Sequence, residues 1–176
     1  MEWSKGKVIR LVEMGEGSRV EIDFVDVLSA DEGVLVGDSA CGYVCVLAET
    51  RSTATYPPRP FRVNAGAVHQ YVQIDENRTK YLSEIEPGDR IMVTDGSRVR
   101  YVSVGRVKME KREFVKVCFD TGISATLQKA DSLFLKGVNG AIHFIDIKEG
   151  DEVSLVMSTD VARHKGEAID EFIEEK

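Results

Sequence analysis

The run Arg59-Pro60-Phe61-Arg62-Val63-Asn64-Ala65-Gly66-Ala67-Val68-His69-Gln70-Tyr71 crowds cations, amides, an imidazole and a phenol into thirteen residues. Arg59 and Arg62 can fork onto a carboxylate or phosphate, Asn64 can both donate and accept, and His69 can move a proton near neutral pH. Pro60 lacks a backbone donor and holds Arg59 extended, while Gly66 permits a turn or the close approach of a ligand. Read as a strand after Phe61, the run puts Arg62, Asn64 and Gly66 on one face and Val63, Ala65 and Ala67 on the other. That polar face suits an anionic, hydroxylated small molecule. The alternative is a solvated strand face with scattered charge. Arg78 and Lys80 follow as further cations, and Lys108 opens the stretch Lys108-Met109-Glu110-Lys111-Arg112, which by itself reads as a charged hairpin tip.

Other chemistries fail on spacing. Gly37-Asp38-Ser39-Ala40-Cys41-Gly42 has G-x-S-x-x-G where a nucleophile elbow needs G-x-S-x-G, so no hydrolase is read from it. Gly15-Glu16-Gly17 lacks the third glycine and the strand-to-helix setting of a dinucleotide fingerprint. Cys41, Cys45 and Cys118 are odd in number and the close pair has no neighbouring His, which supports neither a zinc site nor a disulfide framework. No metal is expected, and the thiols read as reduced and mostly buried.

The elements that must position these residues read as strands. Runs at residues 7–12 and 19–25 flank Met14-Gly15-Glu16-Gly17-Ser18 and predict a hairpin. Val34-Leu35-Val36 is a third strand, and Tyr43-Val44-Cys45-Val46-Leu47 is apolar enough to be buried on both faces. The loop 50–59 is polar and closes on Pro57-Pro58, while 167–176 is ambiguous between a short helix and an edge strand. Helical periodicity is nearly absent and turn residues punctuate the chain, so an all-β sandwich or barrel is expected. At 176 residues the chain needs no disulfide or metal to hold a core. Its net charge of −7 has the wrong sign for a general nucleic-acid binder but leaves room for a local basic pocket. The N-terminus shows no apolar signal region, and no apolar run nears the ~20 residues of a membrane span, so a cytoplasmic protein without a membrane partner is expected.

A partial repeat organises the chain. Tyr81-Leu82-Ser83-Glu84-Ile85-Glu86-Pro87-Gly88-Asp89-Arg90-Ile91 resembles His143-Phe144-Ile145-Asp146-Ile147-Lys148-Glu149-Gly150-Asp151-Glu152-Val153 at an offset of 62. His143 therefore reads as structural. Gly6-Lys7-Val8 is echoed by Gly105-Arg106-Val107 at an offset of 99. The expectation is two related, small, barrel-like β halves, 1–104 and 105–176, packed as one body, the first carrying an extra segment at about 38–78. Chance recurrence of Gly-Asp turns is the alternative.

Several phrases together resemble the archaeal-type 3-dehydroquinate synthase family. These are the opening run, Arg78-Thr79-Lys80-Tyr81-Leu82-Ser83-Glu84, Gly105-Arg106-Val107-Lys108-Met109-Glu110-Lys111-Arg112, Leu127-Gln128, and Arg163-His164 followed by Ile173-Glu174-Glu175-Lys176. They come in the family's order at similar spacing and cover nearly the whole chain. The resemblance implies NAD-dependent oxidative deamination of 2-amino-3,7-dideoxy-D-threo-hept-6-ulosonate, release of ammonia and closure to 3-dehydroquinate, in the shikimate route to aromatic amino acids. It implies His69 and Lys80 as proton-handling catalytic groups, and Arg59, Arg62, Asn64, Gly66, Tyr71, Arg78, Lys108, Gln128 and His164 as substrate-binding residues. NAD is the implied cofactor, although no binding motif for it stands in this chain.

The resemblance is to the C-terminal half of proteins roughly twice as long. A separate N-terminal half or a homo-oligomer is therefore the expected partner, and activity of this chain alone is not expected. Leu47-Ala48-Glu49 stands where the family has His-Ser-Glu, and polar Lys165 and Glu167 replace Phe and Met after Arg163-His164. The competing expectation is a noncatalytic β-barrel module of the same fold that binds a small anionic metabolite or a partner protein.

Overall fold

Arg19-Val20-Glu21-Ile22-Asp23-Phe24 alternates charged and apolar residues, the period of a strand with one face toward a core. In the computed structural model, which describes residues 1–158 and 174–176 in full and 162–164 and 167–169 by their backbone, this pattern belongs to one long strand, β1 (Glu2–Phe24). The expected hairpin over residues 7–25 is therefore replaced by a continuous strand. Gly15 adopts φ +77° and takes up a register shift opposite Phe114 and Val115, so the glycine bulges the strand where a turn was expected. β1 lies antiparallel to an equally long β8 (Val99–Phe119) from Val8↔Phe119 to Phe24↔Val104. Residues 108–112, expected at a hairpin tip, sit in the middle of β8, opposite residues 17–21 of β1.

The remaining strands are β2 (Gly33–Gly37), β3 (Gly42–Leu47), β4 (Arg62–Ala67), β5 (Tyr71–Gln73), β6 (Thr79–Tyr81), β7 (Arg90–Thr94), β9 (Ser124–Gln128), β10 (Phe134–Gly137), β11 (Gly140–His143) and β12 (Glu152–Met157). β13 (Ala162–His164) and β14 (Glu167–Ile169) pair with each other. The chain is all-β as expected, and the helical residues described are two single 3-10 turns, Leu82–Glu84 and Phe144–Asp146. Of the ambiguous segment 167–176, the first three residues form β14, and 170–173 lie outside the described residues. β3, β12, β1, β8, β7 and β2 pair in turn, and β2 pairs back to β3, giving a closed ring of six strands. β2 and β3 are wholly buried, which explains why their sequences are apolar rather than alternating. Outside the ring, β4 pairs with the end of β1 and β9 with the end of β8.

The hydrogen-bond register repeats. Ile22 pairs with Val63 and Val117 pairs with Ala125, so β9 stands to β8 as β4 stands to β1. Gly88 N donates to Val104 O at 2.8 Å and Gly150 N to Val8 O at 2.8 Å, while Val104 N and Val8 N donate in return to Asp89 O and Asp151 O. Both glycines have φ +94°. The offset of 62 seen in the sequence thus runs from β4 to β12. Val8 corresponds by hydrogen bonding to Val104, three residues before Val107, its match in the phrase Gly105-Arg106-Val107 that echoes Gly6-Lys7-Val8. Position 104/105 falls inside β8, and the connection before β4, residues 25–61, carries both β2 and β3, whereas the one before β9, residues 120–123, is a turn.

Candidate anion-binding cleft

Where β1 runs between β4 and β8, its polar face meets opposite charges across both seams. Arg19 faces Glu110, Glu21 faces Lys108 and Asp23 faces Arg106 on β8; Glu21 faces Asn64 and Asp23 faces Arg62 on β4. Such cross-strand pairs attract directly and fix register. Arg62 bonds Asp23 twice, Nε to Oδ1 at 2.8 Å and Nη2 to Oδ2 at 3.1 Å, and Arg106 Nε reaches Asp23 Oδ2 at 2.8 Å. Burial pushes the Asp23 carboxyl up, but the hydrogen bonds from Arg62 and Arg106 outweigh it and hold the group below its ordinary 3.8. The Asp23 bond in turn raises the Arg62 guanidinium.

A cleft of about 250 Å³ opens over this ladder, and the cations Arg19, Arg59, Arg62, Lys108 and Arg112 line it with only Glu21 and Glu110 as carboxylates. Asn64, Gln128, Ser132 and Tyr56 complete its polar wall. Five cations against two acids is the reverse of the chain's overall balance, and it makes a local attractor for anions. Several donors and acceptors here lack protein partners. Arg19 is 5% exposed and Asn64 is 2% exposed, yet Arg19 Nε and Asn64 Oδ1 have no hydrogen-bond partner among the described residues. Arg59 Nε is likewise unmet. Buried polar groups are normally satisfied by protein or by ordered water.

Arg59 stacks over the Tyr56 ring at 4.4 Å, and its Nη2 lies 2.6 Å from Glu49 Oε1. Glu49 is 4% exposed, and burial raises its carboxyl above the ordinary 4.5 despite the Arg59 charge. The loop between β3 and β4 is fixed by Glu49 N donating to Arg62 O and Arg59 N to Glu49 O, so the loop carries Arg59 to the cleft mouth.

Of the residues expected from sequence, the structure brings Arg59, Arg62, Asn64, Lys108 and Gln128 together in this cleft. Gly66 lies elsewhere. A register shift between Val20 and Glu21 places a bulge at Ala65, and beyond it a Cβ on Gly66 would meet Thr126 O and Gln70 Nε2 at 2.5 Å, with no open space for a ligand. His69 is in the turn after β4, with Nε2 2.7 Å from Asp38 Oδ1, and Ser124 and Thr126 hydroxyls donate to the same carboxylate. Burial raises Asp38, but the bonds from His69, Thr126 and Ser124 hold it below 3.8. Tyr71 stacks on Tyr81 at 5.1 Å and donates its hydroxyl to Glu175; burial and that carboxylate raise its own ionisation. Arg78 bonds Asp75 at 2.7 Å and Lys80 bonds Asp89 at 3.1 Å, both away from the cleft. The side chain of His164 lies outside the described residues. His143 anchors to Asp131 O and stacks on Phe134, the structural place expected for it.

Arg19, Glu21, Glu110 and Arg112 were not singled out from sequence. The signal for Arg19 and Glu21 was the alternation 19, 21, 23 against 20, 22, 24, which in an antiparallel strand ordinarily marks a solvated face. No group of three or more His, Cys, Asp or Glu side chains with metal-binding geometry occurs among the described residues. None of the described helices is long and apolar enough to cross a membrane. A glycine-rich turn running into a helix N-terminus, one common cradle for a dinucleotide's pyrophosphate, has no counterpart among the described residues.

The chain is an all-β domain with a cation-rich cleft at the junction of its two longest strands, and comparison with known proteins says to which family it belongs. Residues 5–176 match the family model described as the 3-dehydroquinate synthase II C-terminal domain, and the chain belongs to that family. It is 41% identical over 175 residues to a "3-dehydroquinate synthase homolog" of Aquifex aeolicus, covering 97% of this chain and 53% of the relative. It is 40% identical to a "3-dehydroquinate synthase" of Halobacterium salinarum over 98% of this chain and 46% of the relative. A Methanosarcina barkeri protein of the same name is 39% identical over 99% of this chain and 47% of its own length. The chain spans about half the length of these relatives. No solved structure matches it.

Proposed function

We propose that this chain is the substrate-anchoring half of a 3-dehydroquinate synthase that oxidatively deaminates 2-amino-3,7-dideoxy-D-threo-hept-6-ulosonate with NAD and closes the product to 3-dehydroquinate. The observation that carries the reading is the excess of cations lining one cleft of a chain whose net charge is −7. Arg62 and Arg59, paired with Asp23 and Glu49 as they are, bring the positive charge that draws the substrate carboxylate to the cleft. Lys108 and Arg112 add positive potential but are shared with Glu110, so they steer the anion more than they bind it. NAD is held by residues beyond this chain, in the half of the relatives' length that it does not span. The reading assigns anchoring to the cleft and draws on neither His69 nor Lys80.

The test is direct. The chain is titrated with 3-dehydroquinate and with NAD by calorimetry, then assayed for NADH and ammonia alone and after addition of the N-terminal half of the Aquifex aeolicus relative. We expect 3-dehydroquinate to bind, NAD alone not to bind, and NADH to form only in the mixture. Failure of both binding and complementation would remove the reading.

A further inference from the structure

Part of β1 is an open edge. Lys7 O accepts from Asp120 N on the β8 side, while Val8 O accepts from Gly150 N on the other, so β12 flanks β1 across from β8. β4 lies on that same far side, because residues 19–23 pair with β4 and with β8 at once. Pairing with β12 ends at Lys7, its last backbone bonds reach Val8, and the β4 side resumes where Val68 N donates to Ser18 O. Among the described residues nothing pairs with the far side of residues 9–17, about 30 Å of strand. β8 has a matching opening on the side away from β1, at residues 105–113, since β7 pairs with it as far as Ser103 and β9 only from Phe114.

An open edge invites another strand and is ordinarily blunted with charge. The two openings differ in this respect. Residues 105–113 carry six charged side chains in nine, and Met109 is the large hydrophobic exposed among them. Residues 9–17 carry three, while Ile9, Leu11 and Met14 are 53%, 36% and 48% exposed. Residues 9–11 and 13–16 are all exposed, so this stretch is covered neither at its edge nor on its faces. We propose that residues 9–17 take up a strand from the half that precedes this domain in its relatives. The chain covers 53% of the Aquifex aeolicus relative and 46% of the Halobacterium salinarum one and matches the family's C-terminal domain, so the rest of their length lies ahead of β1. That half joins β1 at Glu2, seven residues before Ile9, a tether of ~23 Å that holds its strand at high local concentration. The incoming strand is apolar against Ile9, Leu11 and Met14 and brings a cation opposite Glu13 or Glu16, acids that outnumber Arg10 on this stretch. A second copy of the chain fits worse, because antiparallel pairing centred on the stretch sets Glu13 against Glu13. The proposal rests on the family membership and not on the anchoring role of the cleft.

Amide hydrogen exchange read by mass spectrometry tests this, following residues 9–17 in this chain and the aligned segment in the full-length Aquifex aeolicus protein. The segment should exchange at least about tenfold more slowly in the longer protein, while the segment aligned with 105–113 exchanges alike in both. Leu11→Lys combined with Met14→Lys should leave the thermal midpoint of this chain unchanged, because both side chains are exposed. Lysines at the aligned positions of the longer protein should restore fast exchange to its segment, with far-UV circular dichroism confirming the fold. Equal exchange of the segment in the two unaltered proteins, or slow exchange that survives the lysines in a folded protein, overturns the proposal. So does protection of residues 9–17 that grows with the concentration of this chain alone, which assigns the edge to a second copy. If the lysines unfold either protein, the comparison of the unaltered proteins decides by itself. None of these results bears on the cleft, whose reading stands or falls on the binding of 3-dehydroquinate.

Discussion

At the scale of single residues, Asp23 ties β1 to both its neighbours, because its two oxygens serve Arg62 from β4 and Arg106 from β8. Its folded-state ionisation is depressed, so the stability it contributes is present above the ordinary 3.8 and is lost as pH falls through that value toward the folded one. Asp23→Asn should therefore cost stability at pH 7, on the order of 3 kcal/mol for breaking a buried pair. The gap between variant and wild type should close below pH 3.8 as the wild-type carboxyl protonates. Urea denaturation of both proteins across pH 3–7 checks this, and a gap independent of pH would show that packing rather than charge is responsible. Arg59, Arg62 and Asn64 were legible in sequence because they cluster within six residues, a density a plain strand does not need. Arg19 and Glu110 were not, since their meaning comes from facing each other across two strands ninety residues apart in the chain.

At the scale of elements, the bulge in β4 separates a cleft-facing stretch from a packed one, and two glycines with positive φ test the difference. Gly66 has φ +98° and an added Cβ would collide with Thr126 O and Gln70 Nε2, whereas Gly88 has φ +94° with nothing within 4 Å. Gly88→Ala should cost only the left-handed strain, about 1–2 kcal/mol. Gly66→Ala should cost that plus overpacking, roughly 3 kcal/mol or more. Chemical denaturation midpoints decide between them, and equal losses would mean that β4 and β9 yield freely to the extra methyl. The strands themselves were readable wherever both faces are apolar or cleanly alternate, as in β2, β3 and β4. What was not readable was Gly15. In isolation, Met14-Gly15-Glu16-Gly17-Ser18 has the composition of a turn, and only the presence of β8 alongside turns it into a bulge within a strand.

At the scale of the whole molecule, the repeating register means that neither repeat closes its own ring. β12 pairs with β1 and β3, and β10 pairs with β3, so strands after residue 124 are held by strands before residue 48. Cutting the chain in the turn at Gly96, between β7 and β8, should leave two pieces that are each unfolded by circular dichroism and that regain β-structure when mixed. A folded isolated piece would contradict the shared ring. The same closure bears on how the protein is made. Gly6 finds its partner only in Val153. Contacts of such long sequence separation pay loop-closure entropy before they return any stability, and they belong to domains that fold in milliseconds to seconds. On the ribosome, the start of β1 has to wait for β12 to be made before that edge is covered.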